Sequence, residues 1–487
     1  MAAWRGIGIV AGVIGAGLLL GACAVGPRYA PPKPATSSSG PFVSTAPGAA
    51  TGQPLPDDWW RLYRDPVLDR LVRRALVENK DLRIAAANLE NAQALVGEAR
   101  AGLFPSTDAS AGADYGRSAA ANGAAAAKGQ QAKDQWAYDA GFTAAYEVDL
   151  FGRVRRTIEA AHADAAAAQA AEDVVRVSVA AQTTQAYVDL CAAAEQAAVV
   201  RRSLDVVRQT YDITVRQRDA GAVSDFDVAR AATLLRQSEA AVPVFDGQRR
   251  VALYELAALL GLAPADAPAD AAACQAPPVL GQSLPVGDGA ALIRRRPDVR
   301  EAERRLAGDT ARIGVATADL YPDVTLNGSV AAAAFTLGRL TTRSAVSFGV
   351  GPLISWSFPN TALARARIRA ARATAQASLA GFDSAVLQAL KETEQALSTY
   401  SADLDRHTSL AAARDAADRA LGLAQVQQRA GAISFLDLLQ AETVAVAAAQ
   451  ALAAADQQVA GDQVAVFKAL GGGWETAPAV VPETVGR

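Results

Sequence analysis

Histidine is the side chain most often recruited to move protons or hold metals near neutral pH, and this 487-residue chain has two, His162 and His407. Each lies in a long helix-forming stretch with no partner at metal-ligand spacing, so no metal site is expected. No Gly-x-Ser-x-Gly, His-Glu-x-x-His or Walker A sequence occurs, so no nucleophile elbow, zinc hydrolase or phosphate loop is written here. Carboxylates are plentiful, but on long helical surfaces such groups are more often solvated than catalytic. The expectation is a protein that is not an enzyme and has no cofactor. The formal charge is −3, which provides no concentrated basic face for nucleic acid. What remains of reactive chemistry is three cysteines, Cys23, Cys191 and Cys274.

Arg5 is followed by an apolar run over residues 6–20, too short for a membrane span, which needs about 20 residues, but suited to an export signal. The next residues, Leu20-Gly21-Ala22-Cys23, resemble the lipobox of bacterial lipoproteins. That resemblance implies a signal peptide over 1–22 and acylation of Cys23, palmitate included. Ala24, where inner-membrane retention would want Asp, implies delivery to the outer membrane. Several acyl chains would anchor stably. The plain alternative is a secretory signal beside an incidental cysteine. Cys191 and Cys274 form an even pair after export, so a disulfide is allowed; two free thiols, one in a helix and one in a loop, is the alternative.

The elements that must position these residues begin after a Pro-, Ser- and Gly-rich stretch. Residues 23–58 read as an extended, lipid-anchored tether, because such composition buries no core, and order is expected from Trp59-Trp60. The chain then repeats itself. Leu103-Phe104-Pro105 matches Leu320-Tyr321-Pro322, Ala220-Gly221-Ala222-Val223-Ser224 matches Ala430-Gly431-Ala432-Ile433-Ser434, and Leu259-Leu260-Gly261 matches Ala469-Leu470-Gly471. The first repeat covers 59–262 and the second 289–470. A linker over 263–288 separates them, and 471–487 is a tail. Each repeat reads as helix, Pro, two strands, long helix, Gly turn, helix.

Stretches 154–219 and 362–429 contain no proline and are rich in Ala, Gln, Arg, Glu and Leu, all good helix formers. At 1.5 Å per residue each makes a rod of about 100 Å, against a mean globular helix near 11 residues. Such lengths mean coiled coil, span or helical repeat, and the scattered Arg, Asp and Gln favour a packed coiled coil outside lipid. Helices 222–262 and 433–470 complete the pattern, together with 66–102 and 289–320.

Four segments have period two instead. Over 135–150 the even positions carry Trp136, Tyr138, Phe142, Tyr146 and Leu150, against Gln135, Asp139, Thr143 and Glu147. Over 345–358, Val346, Phe348, Val350, Ile354 and Trp356 oppose Ser347, Gly349, Gly351 and Ser355. Segments 106–115 and 323–333 alternate more weakly. Alternation with aromatic enrichment is the strand signal, and strands with one apolar face fit a transmembrane barrel; a half-buried sheet is the alternative. Four strands cannot close a barrel, and an open edge in lipid leaves backbone groups unsatisfied. Strands in a membrane therefore require an oligomer. The fold class is mainly α with a small β part.

Together these features resemble the TolC-like outer-membrane efflux family, in its NodT-type lipoprotein branch. The residues carrying the match include Cys23 with Gly26-Pro27, Trp59-Trp60, Asp65-Pro66, Asn79-Lys80-Asp81-Leu82, Arg294-Arg295-Arg296-Pro297-Asp298-Val299, Leu320-Tyr321-Pro322 and Ser355-Trp356-Ser357-Phe358. The resemblance implies a homotrimer whose twelve strands close one barrel in outer-membrane lipid, above a tube of twelve helices crossing the periplasm. It implies a passive exit duct for small toxic solutes or drugs, working with a periplasmic adaptor and an inner-membrane pump of the RND type. Pro105 and Pro322 sit where helix turns into strand, since proline moves its predecessor out of the α region.

At the far helix ends, Gly221 and Gly431 suit helix C′ positions, and Ser224 and Ser434 suit N-caps. The resemblance adds that these tips, with Ala222 and Ala432, dock the adaptor. It also suggests a periplasmic gate near Asp227, Leu436 and Asp437. Here the chain departs from the pattern, with Gln440 where many relatives carry Asp and Thr443 where some have Arg; a solvated helix face is the alternative. Two other readings stay open: a type I secretion duct for polypeptides, and a structural envelope lipoprotein.

Overall fold

The computed structural model describes residues 24–480 except 34, 45, 52, 54, 118, 128, 130, 132, 133, 282 and 479. Cys23 and the signal segment lie outside the described residues. In chain order the elements are β1 (Ala49–Thr51), α1 (Pro66–Glu78), α2 (Lys80–Ala101), β2 (Ser106–Gly116), α3 (Ala119–Ala126), β3 (Gln135–Glu147), α4 (Arg153–Asp219) and α5 (Asp225–Leu259). There follow β4 (Leu284–Gly287), α6 (Gly289–Arg295), α7 (Pro297–Ala318), β5 (Asp323–Ala334), β6 (Val346–Ser355), α8 (Ala362–Arg429) and α9 (Phe435–Ala469). The chain divides into two units. One holds residues up to Pro32 with Glu90–Ala167 and Glu303–Gly381; the other holds Lys33–Leu89, Ala168–Ala302 and Phe382–Arg487.

The first unit contains an antiparallel sheet in the order β2-β3-β5-β6. Pro105 and Pro322 immediately precede β2 and β5, as their effect on the preceding residue requires. Two strands are shorter than the alternation suggests. β3 stops at Glu147 because Asp149 caps α4, its carboxylate accepting from the backbone N–H groups of Val154 (3.1 Å) and Arg155 (3.0 Å). β6 stops at Ser355, and the indole of Trp356 then donates to the Leu320 carbonyl (3.1 Å).

The second unit is built around Trp59, which is fully buried and stacks on Phe467 at 4.6 Å. Trp60, Leu68, Leu76, Leu256 and Leu397 are buried in the same core. Asp65 caps α1 by accepting from Val67 (2.8 Å) and Leu68 (3.1 Å), with Pro66 in the first helical turn, where its missing N–H costs nothing. A disulfide joins Cys191 of α4 to Cys274 of the inter-repeat linker.

Two expectations need correction. The helices read as continuous over 66–102 and 289–320 are each broken, at Asn79 and Arg296. Asn79 leaves the helical region and caps α2, accepting from Asp81 (2.9 Å) and Leu82 (3.2 Å). Arg296 precedes Pro297, which excludes the α conformation there. Secondly, the segment after Cys23 does not stay free of the folded body. In the first unit the Val25 N–H donates to Phe151 O (3.0 Å), Arg156 donates to Val25 O (3.2 Å), and the Tyr29 hydroxyl donates to Glu303. Gly26 has φ +91° and lies so close to Gly314 that a Cβ would sit 2.5 Å from its Cα. In the second unit β1 pairs in parallel with β4, and Glu394 accepts from Val43 and Ser44 (both 2.7 Å). Hydrogen bonds made segment by segment hold this stretch, together with Ala46 and Leu55 in the core of the second unit and Phe42 packed against it. By composition α9 is long and apolar enough to cross a bilayer. Its Asp456, Asp462 and Gln463 bond to His407, Gln458 and Tyr400 of the same unit, which marks it as a packed helix.

Candidate functional site

Two places carry the functional expectations, and each lies within one unit. The first is the sheet. Its three ladders hold one register throughout: Ala109 opposes Phe142, Phe142 opposes Val330, and Val330 opposes Phe348. Because side chains alternate, this row and its equivalents place Tyr138, Tyr146, Leu326, Val350 and Ile354 on one face. Asp108, Asp114, Asp139, Thr143, Asn327 and Ser329 occupy the other. The apolar face is uncovered in the single chain: Phe348 is 83% and Val350 88% exposed. An apolar surface of that extent needs an apolar medium or partner.

Aromatic side chains mark both ends of this face. Tyr115 and Trp136 pack at 5.5 Å at the hairpin end; Phe151 with Tyr321 (4.5 Å) and Trp356 with Phe358 (4.6 Å) pack at the helix end. From Trp136 to Tyr146 runs roughly 33 Å of strand, or about 25 Å along the normal at a 40° tilt, the height of the apolar band of an outer-membrane barrel. The remaining edges of β2 and β6 are unpaired among the described residues of the single chain.

The second place is the pair of turns that close the hairpins α4–α5 and α8–α9. Gly221 (φ +74°) and Gly431 (φ +70°) occupy the left-handed region, which costs other residues about 1–2 kcal/mol. Ala222 N–H bonds Gln217 O (2.8 Å) and Gly221 N–H bonds Arg218 O (2.8 Å); Ala432 and Gly431 repeat this on Gln427 (2.9 Å) and Gln428 (3.0 Å). These are two Schellman endings. Ser224 and Ser434 then start the return helices in capping boxes with Asp227 and Asp437. The Asp227 carboxyl is held below its ordinary value by bonds to Ser224.

That geometry bears directly on the residues suggested for a gate. Asp227 and Asp437 each accept from the backbone and hydroxyl of their own cap serine, and Asp437 makes no ion pair among the described residues. Gln440 is exposed, and the Thr443 hydroxyl donates back to Leu439 O (2.8 Å). Leu436 is exposed, as is its counterpart Phe226, which carries the Arg230 guanidinium 5.5 Å over its ring. The turns are near-identical in backbone and differ in side chains.

Other polar positions escaped sequence reasoning. Glu442 of α9 is buried and accepts from Thr210 of α4, and burial raises its pKa. Arg296 donates to Ala469 O (3.0 Å), Asp298 (2.7 Å) and Glu392 (2.8 Å), binding the end of α9 to the start of α7. Asn79 does the equivalent in the first repeat, donating to Leu259 O (2.9 Å) at the end of α5. The matching tetrapeptides Asn79-Lys80-Asp81-Leu82 and Arg296-Pro297-Asp298-Val299 were the available signal.

Comparison with known proteins fits this arrangement. The family described as "Outer membrane efflux protein" matches residues 71–262 and 290–472, one segment in each repeat. Nodulation protein T of Rhizobium leguminosarum bv. viciae is 31% identical over 95% of this chain and 93% of its own length. Outer membrane protein OprJ of Pseudomonas aeruginosa is 29% identical over 96% and 97%. Among solved structures, the outer-membrane channel OprN superposes with a TM-score of 0.84 at 34% identity, covering 93% of this chain and all of that one. The open state of the Neisseria gonorrhoeae MtrE outer membrane channel gives 0.80 at 27% identity, covering 93% and 99%. With both repeats matched over most of their length, the chain belongs to the outer membrane efflux protein family and is an efflux channel subunit of the outer membrane.

Proposed function

We propose that three copies close the sheet into one twelve-stranded barrel, and that the assembly is a passive, non-enzymatic exit duct of a tripartite efflux pump for small toxic solutes or drugs. The observation that carries this is the open sheet. β2 and β6, its two edges, have nearly equal lengths of 11 and 10 residues and run in opposite directions. β6 of one copy can therefore pair antiparallel with β2 of the next without changing the polarity of either face. An unpaired edge in lipid would leave each backbone group several kcal/mol short, which makes closure obligatory. In this reading the turns at Gly221 and Gly431 meet a periplasmic adaptor, an inner-membrane RND-type pump supplies the energy, and acyl chains on Cys23 anchor the trimer.

Purified protein in planar bilayers, with the mass of the detergent-solubilised assembly, tests the core of this. Trimeric mass with stepwise conductance is expected; a monomer, or no conductance, rules out the duct and favours a structural lipoprotein. Gly221→Glu and Gly431→Glu should lower recovery of adaptor complexes more than trimer yield. Because Asp227 and Asp437 serve their helix caps, a resting constriction at the turns would rest on Leu436. Asp437→Ala should then leave opening probability unchanged, while Leu436→Ser should raise it.

A further inference from the structure

The polar face of the sheet is chemically lopsided. β2 and β3 carry Asp108, Asp114 and Asp139, whereas the facing positions of β5 and β6 are Asn327, Ser329, Ser347, Gly349 and Gly351. No lysine or arginine occurs within any of the four strands. Glu147 and Asp323, at the helix end of the same face, are both met by Arg153, at 2.5 and 3.5 Å. Asp108, Asp114 and Asp139 make no ion pair among the described residues. Asp139 lies across Gly112, where a Cβ would come within 2.6 Å of its Oδ1, so the glycine leaves the carboxylate its place on the wall. On the hairpin side Arg117 is paired with Asp134 (3.0 Å), Arg339 and Arg343 lie beyond the strand ends, and Lys128 and Lys133 of the same connection lie outside the described residues. The three carboxylates, unpaired among the described residues, occupy three different levels of one hairpin rather than a single cluster.

We infer that the barrel wall sorts solutes by charge, with Asp108, Asp114 and Asp139 as the determinants that favour cationic over anionic solutes. This rests on the proposed trimeric duct, in which the polar face lines the lumen and presents the three carboxylates three times over. Twelve strands about 4.8 Å apart at a 40° tilt make a barrel of roughly 12 Å radius, less the side chains that project inward. The screening length at 0.1 M salt is about 10 Å, so the field of the wall reaches the axis. A lumen potential of only ~1 kT already separates monovalent cations from anions about sevenfold.

The test is the reversal potential of the purified protein in planar bilayers under a KCl gradient around 0.1 M. The wild type should show a K⁺-to-Cl⁻ permeability ratio of about 5–10, falling towards 1 in 1 M KCl, where the screening length is about 3 Å. Asp108→Asn/Asp114→Asn/Asp139→Asn should conduct with a ratio near 1 at 0.1 M. Should the triple variant fail to assemble, single Asp139→Asn and the salt series on the wild type carry the same prediction. Stepwise conductance with a wild-type ratio near 1, or a triple variant as selective as the wild type, overturns the inference and leaves the duct standing. Absence of conductance overturns both.

Discussion

The bond network of Arg296 offers the sharpest test of how the second repeat is held together. Its guanidinium is buried, and it joins the last carbonyl of α9, Ala469 O, to Asp298 of α7 and Glu392 of α8. The partner carboxylates are 33% and 39% exposed, so water recovers part of what Arg296→Ala would remove. Breaking a fully buried pair costs about 3–5 kcal/mol; partial exposure puts this case near the lower end, about 3 kcal/mol. Asn79→Ala, in the first repeat, loses one cap and one buried hydrogen bond, together about 2 kcal/mol. With unfolding entropy of about 2.1 cal/mol/K per residue, a chain of this size shifts its midpoint by about 1 °C per kcal/mol. Thermal unfolding in detergent followed by circular dichroism should therefore place Arg296→Ala about 3 °C below wild type and Asn79→Ala about 2 °C below. Arg296→Lys should recover only part of the loss, because an ammonium cannot serve three acceptors in fork geometry. If Arg296→Ala shifts the midpoint by less than Asn79→Ala, the reading that Arg296 ties α9 to α7 and α8 at that cost is wrong.

Further consequences are open to measurement. Asp57 accepts from the backbone N–H groups of Gly473 (3.1 Å), Trp474 (3.0 Å), Glu475 (3.0 Å) and Thr476 (2.5 Å); Asp57→Ala should speed amide exchange at 473–476 and cost about 2 kcal/mol. Burial pushes the Asp173 carboxyl up to about 6 despite Arg176, and burial does the same to Asp462, also to about 6. Raised folded-state values mean that the folded form keeps protons the unfolded chain releases. Stability should thus rise as pH falls from about 7 towards 4 and be lost as pH climbs through about 6; Asp173→Asn with Asp462→Asn should flatten that slope in midpoint-versus-pH curves. Asp57, held below its ordinary value by those backbone and Thr476 bonds against the effect of burial, acts oppositely, its contribution vanishing as pH falls below about 4. Finally, the Cys191–Cys274 bridge spans 83 positions, for which chain entropy gives up to about 4.5 kcal/mol. Reduction should lower the unfolding midpoint, and alkylation of both thiols without reductant would show that the bridge does not form.

Much of this protein was legible along its sequence because its signals are local. A run without proline and rich in alanine has one backbone solution, and α4 and α8 follow it almost to the residue. Alternation of Trp136, Tyr138 and Phe142 with polar residues sets which side of a strand faces apolar surroundings, whatever the strand's neighbours. Gly221 and Gly431 announce their turns because left-handed backbone excludes most other residues. The proposal of an oligomer rests on the same local signals, since four strands cannot satisfy their own edges in lipid.

What the sequence left open depends on partners distant in the chain. Nothing near Arg296 says that its guanidinium will find Ala469 and Glu392, and nothing near Asp57 announces the backbone donors after α9. The stretch after Cys23 looks like free tether because its few large apolar residues, such as Phe42 and Leu55, are scattered among Pro, Ser, Gly and Thr; only the fold supplies Phe151, Gly314, Glu303 and Glu394 to hold it. The same holds for charge. Sequence alternation shows that Asp108, Asp114 and Asp139 lie on polar faces of strands that carry no cation, but only the ladder register shows that these faces are one and that Arg153 meets Glu147 and Asp323 at its helix end. Helix and strand identity are decided by neighbouring residues; ion pairing and docking are decided by residues that only folding brings close.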